Sequence, residues 1–377
     1  MPRNRLLSYP LRPAYPERMA TSDATELQVN GRAVRLSSPG KVLFASGITK
    51  LDVAQYVIAV GDGILAALRD RPTALERWPK GFREGMTLTT RAGAKGDGFY
   101  SKRVPAGAPD WVESVRIAFP SGRFADEVCP TELAVVVWAI QQNTLTFHPW
   151  PVRSTDVDRP DQLRIDLDPQ PGTDYSDAAA LAPLVREVAA EAGLTLFPKT
   201  SGGRGLHLFA PIRPEWDFVA ARRATIALAR EIERRAPAQV TTKWWKEERG
   251  EQVFIDYNQM ARDRTIASAY SIRANVNATV SAPLTWDEVD QVTPNDFTVT
   301  TMPARFAQVG DLFAGANGTA SDPGAGLELL LEWAARDERD HDLGDAPYPP
   351  EYPKMPGEPK RVQPSRARKD SDDGEDG

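Results

Sequence analysis

The sequence predicts a mixed α/β (α+β) fold. Short apolar runs with polar residues at alternate positions, such as "RPDQLRIDLDP" and "EQVFIDYN", read as strands. Longer runs with apolar residues three and four apart read as helices. The two kinds alternate from residue 27 to about 310. The chain has 377 residues, 41 % of them hydrophobic, which is enough for one large domain or two smaller ones with a sizeable core.

Taken in order, residues 1–26 are rich in Pro and Arg, show no period and are expected to be a disordered leader, with Met19 a second candidate start. Residues 27–340 are expected to form the folded domain. In "SDAAALAPLVREVAAEAG" the residues Leu181, Leu184, Val185 and Val188 share one helical face; Asp177 can cap the helix and Gly193 can end it. Pro183 inside it implies a kink or a later start. "DFVAARRATIALAREIERRAP" is a second helix, ended by Pro237, and "GAGLELLLEWAARDER" a third. Residues 341–377 turn Pro-rich and then charged, a composition expected to stay disordered. No internal repeat is visible.

A single cysteine, Cys129, excludes a disulfide framework and a cysteine zinc site. His148, His207 and His341 lie far apart in sequence, so no histidine metal cluster is visible. No stretch is long and apolar enough to span a membrane, and the N-terminus lacks the apolar core of a secretory signal. The expected location is therefore cytoplasmic, associated with the nucleoid if DNA is the partner. The net charge of −6 argues against nucleic acid only weakly, because its distribution matters more. Between Arg71 and Arg103 stand eight basic residues, among them Arg77 and Lys102, against three acidic ones, with Trp78, Phe82, Phe99 and Tyr100 interleaved. A groove that follows phosphates and stacks bases uses this mixture. A solvated face with ordinary core aromatics has the same composition.

In "LRIDLD" the side chains alternate, so Asp166 and Asp168 share a face opposite Leu163, Ile165 and Leu167. Two residues of strand place their Cα atoms roughly 7 Å apart. Their oxygens can converge on hard cations such as Mg²⁺ or Mn²⁺. Asp256 in "VFIDYN" is a third candidate within an apolar run. Unpaired buried carboxylates are costly, whereas metal-bound ones are not. The competing reading is a polar strand face with ion pairs to Arg164 or other cations.

In "KTSGGRGLHLFAP" the residues Gly202, Gly203 and Gly205 allow backbone N–H groups to turn towards an anion, and Ser201 and Arg204 add donors. The run that follows reads as a strand with His207 on its own face. That excludes a Walker loop and a Rossmann fingerprint, both of which place phosphate at a helix N-terminus. A plain glycine-rich hairpin with a surface histidine is the alternative.

Together, "DLDP", "SGGRGLH" and "FIDYNQMARDRTIASAYSIRA" resemble the three motifs of the archaeo-eukaryotic primase superfamily. More closely, the chain from about 37 to 310 resembles the polymerase domain of bacterial ATP-dependent DNA ligase D, through "KVLFASGITK", "ERWPKGF", "GFYSKRVPAGAPDWV" and "TFHPWPVRS" as well. The resemblance implies a primase-polymerase fold: a central antiparallel, RNA-recognition-like catalytic sheet flanked by helices, with an N-terminal α/β module. It implies a template-dependent DNA/RNA polymerase that adds nucleotides, ribonucleotides included, at DNA ends or short gaps by two-metal phosphoryl transfer, as in non-homologous end joining. Asp166, Asp168 and Asp256 would hold two divalent ions, Mn²⁺ or Mg²⁺. Ser201, Gly202, Arg204 and His207 would grip the triphosphate of an NTP or dNTP, with Arg264 and Arg273 placed for triphosphate or primer. Lys41 and Lys50 would hold the 5′-phosphate of a DNA end or gap, and Phe99 and Tyr100 would stack on template. Arg204 stands where lysine is frequent, and the two are different donors. The segment between "ERWPKGF" and "GFYSKR" is longer and more polar than the family pattern. Nothing resembles the ligase or phosphoesterase parts of the multidomain enzyme, so a stand-alone polymerase is implied, leaving a Ku-type end-binding protein and a separate ligase as candidate partners.

Two other readings compete. "AKGDGFY" contains Lys95-Gly-Asp-Gly98, the K-x-D-G pattern of a ligase-type nucleotidyltransferase with a covalent lysine, near Arg91 and Lys102. A non-catalytic module bridging DNA ends is the other, although bridging requires no carboxylate triad.

Overall fold

Two five-stranded sheets carry the fold, and the Asp-x-Asp run lies at the centre of one of them. The computed structural model describes residues 24–89, 94–318, 324–349, 352–355 and 358–361. Strands β1 (Ala24–Val29) and β2 (Arg32–Ser37) form a hairpin. Its turn residues Asn30 and Gly31 both have positive φ, as a two-residue hairpin turn requires. β1 thus begins inside the span expected to be a leader; residues 1–23 lie outside the described residues. Helix α1 (Lys50–Ala59) starts at a capping box of Thr49 and Asp52, and α2 (Gly61–Leu68) follows. The first sheet comprises β3 (Thr73–Arg77), β4 (Phe99–Ser101), β5 (Ser114–Ala118), β6 (Phe124–Val128) and, after α3 (Leu133–Gln141), β7 (Thr144–Pro149). Its order is β4-β3-β6-β5, with β7 also paired to β3.

The second sheet is built from β8 (Gln162–Pro169), β9 (Phe197–Thr200), β10 (Leu206–Pro211), β11 (Val240–Thr241) and β12 (Val253–Ile255). The order is β11-β12-β8-β10-β9, antiparallel throughout except for the short β11–β12 pair. Helices α4 (Tyr175–Glu191) and α5 (Phe218–Arg235) connect these strands. Asp174 caps α4, and Asp177, the expected cap, is instead its partner in the capping box. Pro183 is accommodated inside α4 on an exposed face. Helix α6 (Met302–Val309) and α7 (Glu328–His341) follow, the latter packed against α5.

One hydrophobic cluster joins the two sheets, with Phe44, Trp78 and Phe147 from the first part and Ile165, Leu208 and Tyr270 from the second. Polar stitches add to it. Phe147 N donates to Ser271 Oγ at 2.8 Å, and Thr146 Oγ1 donates to Ile272 O at 2.8 Å. The first sheet thereby fixes the segment after Asp256 and carries Arg273 to the face of the second sheet.

Part of the region expected to be a free tail is packed: Ala346, Tyr348, Pro349, Tyr352 and Glu358 are buried, while 341–344, 353, 354, 359 and 360 are exposed. Arg222 of α5 is fully buried and donates to Asp345 Oδ1 at 2.6 Å, Ala346 O at 3.1 Å and Pro347 O at 2.8 Å. Its guanidinium lies 3.9 Å over the Tyr348 ring. Tyr348 and Tyr352 are buried, and Glu358 accepts from the N–H groups of Tyr348 and Met355. A buried arginine needs acceptors, and this strap provides them. Residues 350, 351, 356, 357 and 362–377 lie outside the described residues.

Candidate active site

The strand alternation expected for β8 is present. Leu163, Ile165 and Leu167 are fully buried on one face, and Asp166 and Asp168 share the other. Arg164 does not pair with them: it is buried and donates to Pro149 O, Trp150 O and Gln162 Oε1. β12 ends one residue before Asp256, whose N–H donates to Asp166 O at 2.9 Å. The Asp256 carboxylate accepts from Asn258 N at 3.0 Å and caps the 3₁₀ turn Tyr257–Met260. Asp166 thus lies within β8, Asp168 one residue before its end, and Asp256 just past the end of the neighbouring β12.

One amide links two of the carboxylates. Gln259 Nε2 donates to Asp256 Oδ2 at 2.9 Å and to Asp166 Oδ2 at 3.3 Å. Asp168 Oδ2 accepts from Gln170 Nε2 at 3.1 Å. Burial pushes Asp166 and Asp256 up to about 6, and the charge of Asp166 adds to the push on Asp256. Asp168 is raised by burial and then by Asp166. Three carboxylates that disfavour one another's charge favour a bound cation, and an all-oxygen anionic donor set suits hard divalent ions. Among the described residues no group of three or more His, Cys, Asp or Glu side chains stands close enough together to hold one metal ion as placed. Between Asp166 and Asp256 the bridging donors are the amide hydrogens of Gln259.

Beside this shelf β9 and β10 form a hairpin around the glycines. Ser201 Oγ accepts from Gly203 N at 3.1 Å and Gly205 N at 3.0 Å, so these N–H groups close the loop on itself instead of facing outward. Gly202 has φ +69°, and a Cβ there would lie 2.4 Å from Arg273 Cγ. At Gly205 a Cβ would lie 2.6 Å from Leu167 O. The glycines thus let the loop press against both β8 and Arg273. Arg204 is exposed and donates to Pro169 O at 2.8 Å. His207 stands opposite Asp166 in register, with Nε2 3.4 Å from Asp166 Oδ1. Against the dominant effect of burial, the charges of Lys199 and then Arg273 favour the Asp166 carboxylate, and that of Arg264 favours Asp256. The structure therefore brings Ser201, Gly202, Arg204, His207, Arg264 and Arg273 around the aspartates.

The other expected residues fall into two neighbouring places. Lys50 N donates to Lys41 O at 2.8 Å, which sets the two lysines side by side. Lys41 is half-buried and donates to Pro79 O and Asn143 Oδ1, whereas Lys50 is buried and donates to Ser37 O at 3.1 Å. Burial and then the charge of Lys41 lower Lys50 to about 8. Phe99 and Tyr100 line a cleft of about 710 Å³ with Lys102, Phe119, Arg123, Phe124, Asp263 and Tyr352. The Arg77 guanidinium lies 5.3 Å over the Phe99 ring, and Lys102 pairs with Asp263. Part of the basic segment is structural instead: Arg71 is buried in an ion pair with Asp161, and Trp78 is core. Lys95 is exposed, unlike a desolvated nucleophile, while Arg91 lies outside the described residues.

Sequence reading missed Gln259, Lys199, and the buried pair of Glu76 and His148, 2.9 Å apart. His148 carries Tyr100 edge-on at 5.1 Å. Each of these has at least one partner distant in sequence: Asp166 for Gln259, Ser281 for Lys199, and Glu76 for His148. A further cleft of about 490 Å³ adjoins Asp168 and Asp256 and is lined by Trp244, Trp245 and Arg249.

The same arrangement of sheets occurs in a solved DNA-bound structure of the polymerase domain of ligase D from Mycobacterium tuberculosis. The match has a TM-score of 0.67 at 30 % identity and covers 75 % of this chain and 98 % of that one. The family described as "LigD, primase-polymerase domain" matches residues 49–313, and the chain belongs to that family. The multifunctional non-homologous end joining protein LigD of Mycolicibacterium smegmatis is 31 % identical over 335 residues, which are 87 % of this chain and 41 % of that protein. The bifunctional LigD of Bacillus subtilis is 32 % identical over 280 residues, 74 % of this chain and 43 % of that one. The chain thus spans about two fifths of the length of these relatives.

Proposed function

We propose that this protein is a template-dependent nucleotidyltransferase of DNA repair, a primase-polymerase that extends a DNA 3′ end across short gaps or joined ends. The observation that carries this reading is the carboxylate shelf of Asp166, Asp168 and Asp256 set against the glycine hairpin, with His207 in register. Phosphoryl transfer depends on alignment and charge neutralisation more than on a strong base. The aspartates would hold two Mn²⁺ or Mg²⁺ ions, which supply activation of the 3′-hydroxyl and neutralisation of the leaving pyrophosphate. Ser201, Arg204 and His207 donate to the triphosphate, Arg273 and Arg264 add positive charge on either side, and Phe99 and Tyr100 stack template bases. DNA binding is supported by the DNA-bound relative, and a role in end joining by the names of the relatives. Ribonucleotide use, a Ku-type partner, a separate ligase and a cytoplasmic, nucleoid-associated location belong to the same proposal.

Incubation of primer-template with NTPs, dNTPs and Mn²⁺ is expected to give a ladder of extended products from wild type and Lys95→Ala alike, with no adenylate left on the protein by ATP. A Lys95-dependent adenylate without extension would establish the ligase-type reading. Binding to DNA with neither product would establish the end-bridging one.

The lysine pair gives a second expectation. A terminal phosphate carries more charge than an internal diester, and two ammonium groups select for it. Gapped DNA with a downstream 5′-phosphate is expected to bind more tightly than its 5′-hydroxyl counterpart, by about tenfold, the range of a charge-assisted contact. Lys41→Ala with Lys50→Ala should remove the difference while extension of a simple primer-template continues. Added salt should shrink it. Equal binding of both DNAs by the wild type would contradict end recognition.

A further inference from the structure

Lys199 lies directly behind His207, and its charge favours the Asp166 carboxylate. Cross-strand register pairs Lys199 with His207 and His207 with Asp166, so one row of side chains crosses β9, β10 and β8. Lys199 is fully buried and cannot touch a nucleotide. Its Nζ donates to Ala267 O at 2.9 Å and to Ser281 Oγ at 2.7 Å, and lies 2.7 Å from His207 Nδ1. The Ser281 hydroxyl hydrogen is committed to Thr200 O at 2.7 Å, so its oxygen faces Lys199 as an acceptor. An ammonium has three hydrogens, and three acceptors surround this one. At the other side of the imidazole, Nε2 faces Asp166 Oδ1 at 3.4 Å. A hydrogen on Nδ1 would oppose the ammonium and turn the Nε2 lone pair towards a carboxylate oxygen. A hydrogen on Nε2 makes both contacts attractive.

We propose that Lys199 is a positioning residue: by donating to Nδ1 it holds His207 as the Nε2–H tautomer, with that hydrogen directed to the carboxylate side of the hairpin, where the phosphates of an incoming nucleotide would lie. The phosphate role rests on the proposed function; the tautomer does not. The arrangement resembles the outer partners of metal-binding histidines, where a second hydrogen bond fixes which nitrogen faces the centre. Burial and then the charges of Arg273 and Arg164 push the Lys199 ammonium towards losing its proton, while the Asp166 carboxylate favours keeping it; in its ammonium form Lys199 disfavours the Nδ1–H tautomer.

Long-range ¹H–¹⁵N spectra of nucleotide-free protein labelled at the histidine rings test the tautomer, with the His207 signal identified by its loss in His207→Ala. A single Nε2–H species with an accepting Nδ1 is expected in wild type, and a mixture of tautomers in Lys199→Met. An Nδ1–H ring in wild type would overturn the proposal without any variant. GTP binding in the presence of Mn²⁺ tests the consequence. Lys199→Met and His207→Ala should each weaken GTP on the order of tenfold, the range of one charge-assisted hydrogen bond. The double variant should be no weaker than His207→Ala if the effect of Lys199 on the phosphates runs through that ring. Additive losses would show that Lys199 acts independently and would overturn the positioning role. Absence of GTP binding in wild type would remove the phosphate role together with the proposed function, while the spectrum decides the tautomer separately.

Discussion

Asp166→Asn, Asp168→Asn and Asp256→Asn are each expected to reduce nucleotide addition by at least about a thousandfold while DNA binding persists. Each removes a full negative charge from the shelf, and metal ions in such sites supply several kcal/mol of charge stabilisation to the transition state. Asparagine keeps one accepting oxygen: at 166 it can still accept from Gln259, and at 256 it can still cap the Tyr257–Met260 turn through Asn258 N while giving up the bond from Gln259. The metal-free protein should respond in the opposite sense. Asp166 and Asp256 are raised to about 6 in the folded chain, above their unfolded value near 4. The folded state thus binds more protons between those values, and stability falls as pH rises through the window from about 4 to 6. Neutralising one of them should therefore stabilise the metal-free protein by about 2–3 kcal/mol at pH 7.5, with the gain vanishing near pH 4. Extension by thermal melts and single-turnover kinetics at both pH values checks the two effects together. Near-normal extension by any one variant would remove that residue from the metal set. Loss of both activity and stability would identify it as structural.

The triphosphate grip should have the next largest effect. Arg204→Ala is expected to raise the KM for NTP by about ten- to a hundredfold, the worth of one strong charge-assisted contact to phosphate, with a smaller change in kcat. Arg204 is exposed and its one bond within the fold is to Pro169 O, so its loss should leave the fold intact. Arg204→Lys should recover part of the effect, since charge returns without the fork geometry. The loop itself is held by Ser201 Oγ, so Ser201→Ala should disturb the grip through loop shape as well as through the lost donor. Unchanged KM values in Arg204→Ala and Ser201→Ala would reduce the hairpin to a turn.

The strands of the catalytic sheet were legible because their signal is local. Period-two alternation around Asp166 and Asp168, and glycines before His207, state both the strands and the face each side chain takes. Helix α4 was legible from its apolar spacing, with its cap misplaced by three residues because a capping box has an acidic residue at each end. The site partners were less legible for a physical reason. Gln259 meets Asp166 only because β12 pairs with β8, and Lys199 meets Ser281 only through a long-range strand bridge. The packed strap after Asp345 was hidden in a Pro-rich composition that usually remains unfolded, and a main anchor is the buried Arg222, more than a hundred residues away, with Glu358 and Arg361 bonding within the strap. The basic segment had two readings, and Trp78 follows the one with ordinary core aromatics, whereas Arg71, expected on a surface or in a groove, belongs to the interior.

The central claim is that the three aspartates and the glycine hairpin form one metal-dependent nucleotide site. Anomalous diffraction from crystals grown with Mn²⁺ and a non-hydrolysable nucleoside triphosphate tests it most directly. The account predicts two manganese peaks about 3.5–4 Å apart, ligated by Asp166, Asp168 and Asp256, with Gln259 displaced from between the carboxylates and the triphosphate against His207 and Arg204. Nucleotide bound elsewhere on the chain, or bound at the hairpin with no manganese at the aspartates, would contradict it.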